Sequence, residues 1–157
     1  MIRIKVIAVG KTKEAWINTG MLHYQKILKK YAEMDILEIK EEKIRKSLNF
    51  KSVLEKEANR ILNSLADTSL GVALDVKGGY KSSEDFAKFF EGNLNRGCNE
   101  FTFILGGPLG LSPKVLDACR VKLSLSPMTF THEMSRIILL EQIYRAFSII
   151  RGGKYHK

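Results

Sequence analysis

A chain of 157 residues, 45% hydrophobic and 27% charged, is long enough to bury a core, and it predicts one domain over residues 1–157. Its 26 Lys and Arg against 17 Asp and Glu give a net charge of +9, which favours a polyanionic partner. An anionic membrane is the poorer choice, because the most basic region lacks the separate basic and apolar faces of an interfacial helix.

The sequence carries no pattern for export, membrane insertion or metal binding. The apolar run at 6–9 is too short for a signal peptide, and no window approaches the length of a membrane span. Cys98 and Cys119 lack the spacing of metal ligands and are predicted to be reduced thiols. We therefore expect a cytoplasmic protein without a metal site.

Strand and helix signals alternate along the chain. In order, they predict a strand at 2–9, a helix at 16–31, a strand at 34–39, a mobile charged loop at 40–49, a helix at 50–65, a strand at 70–76, a helix at 83–94, a central strand at 101–105, a helix at 113–119, a strand at 121–125 and a helix at 133–151. The first helix has one apolar stripe, formed by Trp16, Gly20, Tyr24, Ile27 and Tyr31.

This alternation is typical of an α/β fold with a parallel sheet and helices on both faces. Ligands in such folds bind beyond the carboxyl ends of the strands. Three strand ends are therefore candidates for a site, at 74–75, 105–106 and 125–126.

A glycine-rich turn follows the central strand. Gly106, Gly107 and Gly110 allow the backbone to approach a ligand closely. The spacing matches neither the dinucleotide motif G-x-G-x-x-G nor a phosphate-binding loop, which disfavours a nucleotide-pyrophosphate site. A purely structural turn before the helix that Ser112 and Pro113 begin is an equally good interpretation.

The loop after the last strand is unusually apolar. It consists of Leu125, Ser126, Pro127, Met128, Thr129 and Phe130. A solvent-facing loop is rarely so apolar, and its backbone groups need partners, for which the edge of an adenine is one candidate. Burial under a neighbouring subunit is the alternative.

The last helix and the tail hold the titratable candidates, in a region (112–157) that alone carries a charge of +5. Arg136 projects into the apolar side of the helix, where it needs an anionic or carbonyl partner unless it snorkels to the rim. Arg145 lies with Glu141 on the polar side, where a solvated face is expected. His132 precedes the helix as a cap or a base. Tyr155-His156-Lys157 is either a frayed end or a tail that stacks on a base, accepts a proton and contacts phosphate.

Several short motifs also occur in a fixed order along nearly the whole chain. They are Ala8-Val9-Gly10-Lys11, Leu74, Ile104-Leu105-Gly106-Gly107 with Gly110-Leu111, Leu125-Ser126 with Met128-Thr129-Phe130, His132 with Arg136, Glu141-Gln142 with Tyr144-Arg145-Ala146, and Tyr155-His156. Together they closely resemble the RlmH family, the small stand-alone SPOUT-class methyltransferases of bacterial ribosomal RNA. Pro127 and Thr131 depart from the family pattern, and Thr131 in place of the usual proline is expected to loosen the turn that aims His132.

The resemblance implies S-adenosylmethionine-dependent methylation of N3 of a pseudouridine in a 23S rRNA loop at the ribosomal subunit interface. It implies an obligate homodimer whose site combines the cofactor loops of one subunit with the tail of the other. It also implies a C-terminal trefoil knot, which general rules of chain topology disfavour. The cofactor-contacting positions it implies are Leu74, Gly106, Leu125, Ser126, Pro127, Met128, Thr129 and Phe130.

Methylation of N3 requires removal of an imide proton, so a base is needed. His156 or His132 is the candidate acceptor, Tyr155 would stack on or orient the base, and Arg136 and Arg145 would stabilise the developing anion or grip phosphate. Two alternatives stay open. A non-catalytic ribosome-binding module needs only the basic tail and predicts no cofactor affinity, whereas a SPOUT enzyme acting on tRNA lacks support because no added tRNA-binding domain is apparent.

Overall fold

Among the described residues, five parallel strands form one sheet with helices on both faces. The computed structural model describes residues 1–45 and 49–156, so residues 46–48 of the predicted loop and Lys157 of the tail lie outside the described residues. The elements are β1 (Arg3–Val9), α1 (Ala15–Leu28), β2 (Glu33–Ile39), α2 (Phe50–Leu62), β3 (Leu70–Tyr80), α3 (Ser83–Asn95), β4 (Glu100–Leu105), α4 (Pro113–Ala118), β5 (Val121–Ser124) and α5 (His132–Ile150). The strand order β2-β1-β4-β3-β5 places β4 at the centre, as predicted.

Alternating side chains of the strands build a separate apolar core on each face of the sheet. Phe101 and Phe103 of β4 pack into the core that α1, α3 and α5 cover, whereas Ile104 packs into the core under α2 and α4. Phe90 of α3 lies edge-on to Phe101 with ring centroids 4.9 Å apart, within the range for favourable aromatic pairs. The predicted α/β architecture is therefore confirmed.

β3 continues past its predicted end at residue 76 and reaches Tyr80. Its pairing with β5 is interrupted between Leu74 and Gly79 and then resumes, with Gly79 opposite Leu123 and Tyr80 opposite Ser124. A Cβ atom at Gly78 would lie 2.7 Å from the backbone of Leu123, so only glycine permits this close approach. Gly78 and Gly79, which lie beyond the predicted strand end, therefore belong to an irregularity within the strand.

α1 contacts the core through a different side than its apolar stripe suggested. Its buried residues are Ile17, Met21 and Leu28, whereas Trp16 is 58% exposed. A Cβ atom at Gly20 would lie 2.2 Å from Cδ1 of Ile137, which shows how closely α1 packs against α5 there. The predicted stripe therefore faces α5 and solvent, and Trp16 is free to line a site.

Glu57 on α2 is a buried carboxyl group whose Oε2 has no hydrogen-bond partner among the described residues. Burial, with a contribution from the charge of Glu41, raises the pKa of Glu57 to about 7. The pKa of Glu57 is thus higher in the folded chain than in the unfolded chain. The contribution of Glu57 to the free energy of unfolding is therefore greatest below about pH 4.5, and it is lost as the pH rises through about 7.

We therefore expect Glu57→Gln, which cannot ionise, to be stabilising at high pH. The difference in free energy of unfolding between this variant and the wild type should be measured at two pH values. It should favour the variant by on the order of 2 kcal/mol more at pH 8 than at pH 5. Urea unfolding at both pH values measures this difference. Glu55→Gln, at an exposed position of the same helix, is the matched control. An equal gain at both pH values would contradict a buried, titrating Glu57.

Candidate functional site

A cleft of about 820 Å³ opens where the chain leaves β4 and runs beside the irregular part of β3. A smaller cavity of about 100 Å³ continues from it along the end of β5. Both are lined by Leu74, Thr129 and Phe130, so the three candidate strand ends meet at one place. The larger volume lies within the range of about 300–1,000 Å³ that is typical of small-molecule sites.

The glycine-rich turn forms one wall of the cleft and requires glycine at its first position. The N–H of Gly110 donates to the carbonyl of Gly107 at 3.0 Å, which closes the turn, and Gly110 has a φ of 75°. A Cβ atom at Gly106 would lie 2.5 Å from the carbonyl oxygen of Gly110, closer than van der Waals contact permits. The turn therefore presents bare backbone to the cleft.

The loop 125–130 forms the opposite wall. The hydroxyl of Ser126 accepts from the N–H of Met128 at 2.9 Å, and the hydroxyl of Ser124 donates to the carbonyl of Ser126 at 3.2 Å, so local bonds shape the loop. Within the described residues, the backbone groups of Thr129 and Phe130 form no hydrogen bond and stay available to a ligand. Met128 is 76% exposed, so this apolar loop is not buried within the chain.

The amino end of α5 borders the cleft and is fixed by Thr131. The hydroxyl of Thr131 accepts from the N–H of Met134 at 3.2 Å, which makes Thr131 the N-cap. His132, the first residue of the helix, lines the cleft. The suggested role of His132 as a cap is therefore wrong, whereas the effect on the turn of Thr131 in place of proline stays a prediction.

Arg136 lies in the interior, 1% exposed, and ties α5 to the end of β1. Its Nη2 donates to the carbonyls of Val9 at 2.7 Å and Gly10 at 2.9 Å. Its Nη1 donates to the hydroxyl of Thr12 at 2.7 Å and lies 3.3 Å from the carboxylate of Glu38. The predicted carbonyl and anionic partners of Arg136 are therefore present. The alternative, in which the side chain reaches to the rim of the helix, is wrong.

This burial corrects the suggested contact of Arg136 with RNA. A guanidinium whose Nη atoms are held by the chain's own carbonyls and side chains cannot grip phosphate, which requires exposure. Burial lowers the pKa of Arg136, and the charge of Glu38 opposes that effect. A second side chain of α5, Glu133, accepts from the backbone N–H groups of Lys13 and Glu14. The two side chains together fix the segment that leads from β1 into α1.

A second cluster forms where the tail folds back on α5. Oε1 of Glu141 accepts from Arg145 Nη2 at 2.6 Å and Nε at 3.0 Å, and the guanidinium lies 4.7 Å from the ring centre of Tyr155. The hydroxyl of Tyr155 donates to the same carboxylate oxygen at 3.2 Å and lies 3.4 Å from that of Tyr24. Arg145 is therefore not on a freely solvated face, because the tail covers it.

In this tail cluster (Glu141, Arg145, Tyr155, His156), the surroundings of Arg145 and Tyr155 favour the protonated forms of both side chains. Its hydrogen bond with Glu141 raises the pKa of Arg145. Burial raises the pKa of Tyr155, and the hydrogen bond with Tyr24 and the negative charge of Glu141 raise it further. Tyr155 therefore stays protonated at neutral pH and cannot act as the base. Nε2 of His156 lies 2.7 Å from a carboxylate oxygen of Glu84 on α3.

Apart from the buried Arg136, the predicted site residues fall into two groups. In the first group, Leu74, Gly106, Thr129, Phe130 and His132 line the cleft and Leu125, Ser126 and Met128 line the smaller cavity, whereas Pro127, in the same loop, lines neither. In the second group, Arg145, Tyr155 and His156 belong to the tail cluster, and none of them lines the cleft or the smaller cavity. Among the described residues, no helix is long and apolar enough to cross a membrane, and no group of three or more His, Cys, Asp or Glu is placed to hold a metal ion.

Sequence reasoning missed several residues that shape the cleft. Trp16 lines the cleft from the start of α1. The only feature of the sequence that could have indicated this is its position directly after the segment between β1 and α1. Thr12 and Glu38 hold Arg136 from 124 and 98 residues away along the chain, and no local pattern reveals such partners.

Comparison with known proteins decides the family. Residues 2–156 match the family described as "Predicted SPOUT methyltransferase". The chain is 46% identical to "Ribosomal RNA large subunit methyltransferase H" of Halothermothrix orenii and 44% identical to the protein of that name from Carboxydothermus hydrogenoformans, in both cases over 99% of this chain and 100% of the relative. The chain belongs to the RlmH family of SPOUT methyltransferases.

A solved structure supports the RlmH-family fold. The chain matches a probable methylase family protein from Haemophilus influenzae Rd KW20 with a TM-score of 0.54 and 16% identity, over 99% of this chain and 70% of that one. At this identity the likeness shows the fold alone. The parallel sheet with helices on both faces is thus a SPOUT fold, whereas the trefoil knot stays a prediction.

Proposed function

We propose that this chain is an S-adenosylmethionine-dependent methyltransferase that methylates N3 of a pseudouridine in 23S rRNA, acting on the ribosome in the cytoplasm. The observation that carries the proposal is the cleft at the three strand ends, in a chain that matches large-subunit methyltransferases along their full length. The excess of basic residues supports a polyanionic substrate.

The residues of the cleft fit this cofactor. Its walls combine apolar side chains such as Leu74 and Leu105 with the exposed backbone of the loop 125–130 and of the glycine turn. Backbone N–H and C=O groups suit the donors and acceptors of an adenine edge, and the missing Cβ at Gly106 lets the glycine turn that carries them close against Gly110. When bound, the cofactor supplies a methyl group that is already activated by its positively charged sulfur.

The protein's own residues must then align the base and accept its proton. His132 borders the cleft, and His156 lies in the tail cluster beside Arg145, so either imidazole is a candidate acceptor for the N3 proton. Tyr155 offers an exposed ring for stacking on the base, and Arg145 would stabilise the negative charge that develops on it.

We further propose that the working unit is a homodimer. Because the tail cluster does not line the cleft of its own protomer, a site that needs both requires the tail of a second copy. Exposed apolar side chains surround the cleft, including Trp16, Val76 and Met128, and a second copy would cover them.

Single-turnover kinetics at saturating S-adenosylmethionine identify the proton acceptor. We expect loss of the acceptor imidazole to lower the methylation rate by about 10²–10⁴-fold, the usual contribution of a general base. His132→Ala should also weaken cofactor binding, because His132 borders the cleft, whereas His156→Ala should leave it unchanged. Near-normal rates in both variants would exclude an imidazole base.

Nucleoside mass spectrometry of rRNA from a strain lacking this chain tests the proposed function itself. Loss of methylated pseudouridine from 23S rRNA, with restoration by the wild-type chain, is the expected result. An unchanged nucleoside profile would overturn the proposal and favour a non-catalytic ribosome-binding protein.

A further inference from the structure

His156 is held from both sides of its ring. Nε2 lies 2.7 Å from Oε1 of Glu84, a residue in the first turn of α3, and Nδ1 lies 3.4 Å from Nη1 of Arg145 on α5. The imidazole therefore joins two helices that are far apart in sequence. At the start of α3, the helix dipole also favours the negative charge of Glu84.

The chemistry of these two neighbours sets the position of the ring proton. A carboxylate only accepts hydrogen bonds and a guanidinium only donates them, so the neutral ring carries its proton on Nε2 and keeps the lone pair on Nδ1. The backbone N–H of Glu84, the imidazole of His156 and the hydroxyl of Ser82 lower the pKa of Glu84. Glu84 is therefore an ionised acceptor at neutral pH.

We propose that Glu84 is a positioning residue for His156: it fixes the ring orientation and the Nε2-protonated tautomer, so that the lone pair lies on Nδ1. Nδ1 faces Arg145 Nη1 at 3.4 Å and takes the N3 proton only after this contact is exchanged for the substrate. This inference rests on the proposed function for its catalytic consequence, although the geometry of the tautomer is independent of it. A carboxylate that orients a histidine in this way also stabilises the charged ring once the proton has arrived.

The tautomer is measurable without any enzymatic activity. In the full-length chain with ¹⁵N-labelled histidine, the ring nitrogens of His156 should show an Nε2-protonated neutral form. His23 and His132, the other two histidines, serve as internal references. In Glu84→Ala the tautomer preference of His156 should disappear, whereas Glu84→Gln, which keeps an acceptor oxygen, should retain part of it.

Asp85→Ala is the matched control. Asp85 follows Glu84 in the same first turn of α3, contributes the same favourable charge to the helix start, and pairs only with Lys88 among the described residues. Asp85→Ala should leave the His156 signals and the methylation rate unchanged. An equal effect of the two alanine variants would assign Glu84 to helix stability and overturn the proposal.

Kinetics on ribosomes give the second readout. Glu84→Ala should lower kcat about tenfold, less than the 10²–10⁴-fold contribution of a general base, with little change in KM and in cofactor affinity. An unchanged tautomer in Glu84→Ala, or an unchanged kcat beside an active wild type, would overturn the inference. If the wild type itself shows no methylation, the proposed function fails, and the tautomer measurement still decides the positioning role.

Discussion

Gly106→Ala should abolish detectable cofactor binding. The new Cβ atom would lie 2.5 Å from the carbonyl oxygen and 2.6 Å from the carbonyl carbon of Gly110, so the turn that walls the cleft must open. Because backbone cannot yield as a flexible side chain can, we expect the Kd for S-adenosylmethionine to rise at least about 100-fold, a loss of about 3 kcal/mol. Isothermal titration calorimetry measures this loss directly.

Gly79→Ala is the control for this substitution. A Cβ atom at Gly79, in the late part of β3, would meet nothing within 4 Å, so this variant should bind the cofactor as the wild type does. Circular dichroism establishes that both variants keep the fold. Normal affinity in a folded Gly106→Ala variant would show that the glycine turn is only a structural link, as one interpretation of the sequence allowed.

Arg136→Met should destabilise the chain by about 3–5 kcal/mol, because each buried acceptor that loses its donor costs about 1–3 kcal/mol. The substitution leaves the carbonyls of Val9 and Gly10 without their donors in the interior, and it frees the hydroxyl of Thr12. Since domains are commonly stable by only about 5–15 kcal/mol, such a loss is a large fraction of the total.

Urea unfolding at one fixed protein concentration measures this cost, since an oligomer's stability depends on concentration. Arg151→Met, at the exposed end of the same helix, is the control and should change the free energy of unfolding by less than about 0.5 kcal/mol. A loss below about 1 kcal/mol for Arg136→Met would mean that the cost of burying the guanidinium nearly cancels its hydrogen bonds.

The sequence predicted the elements of the fold well because each has a local signal. The central strand at 101–105 is almost wholly apolar, and Ser82 and Ser112 cap their helices as their chemistry predicts. The errors lie where tertiary contact overrides local pattern. β3 continues through glycines because β5 pairs with it again, and Trp16 is exposed although it lies on the predicted apolar stripe of α1.

The candidate site was predictable only in part, for a similar reason. The strand ends of a parallel sheet lie at one edge, so the meeting of Leu74, Gly106 and Leu125 follows from the topology. The burial of Arg136 follows from an arginine on an apolar helix face, but its partners come from distant segments. The Glu84–His156 contact joins residues 72 positions apart, and no pattern in either segment indicates it.

The bonds of Arg136 also set an order of events during synthesis. Val9 leaves the ribosome early, yet the guanidinium that holds its carbonyl belongs to a residue made 127 positions later. Contacts of such long sequence separation form late, because the entropy of closing the loop between them must be lost first. A nascent polypeptide that stops short of its last helix would therefore lack both the cover of one apolar core and one border of the pocket.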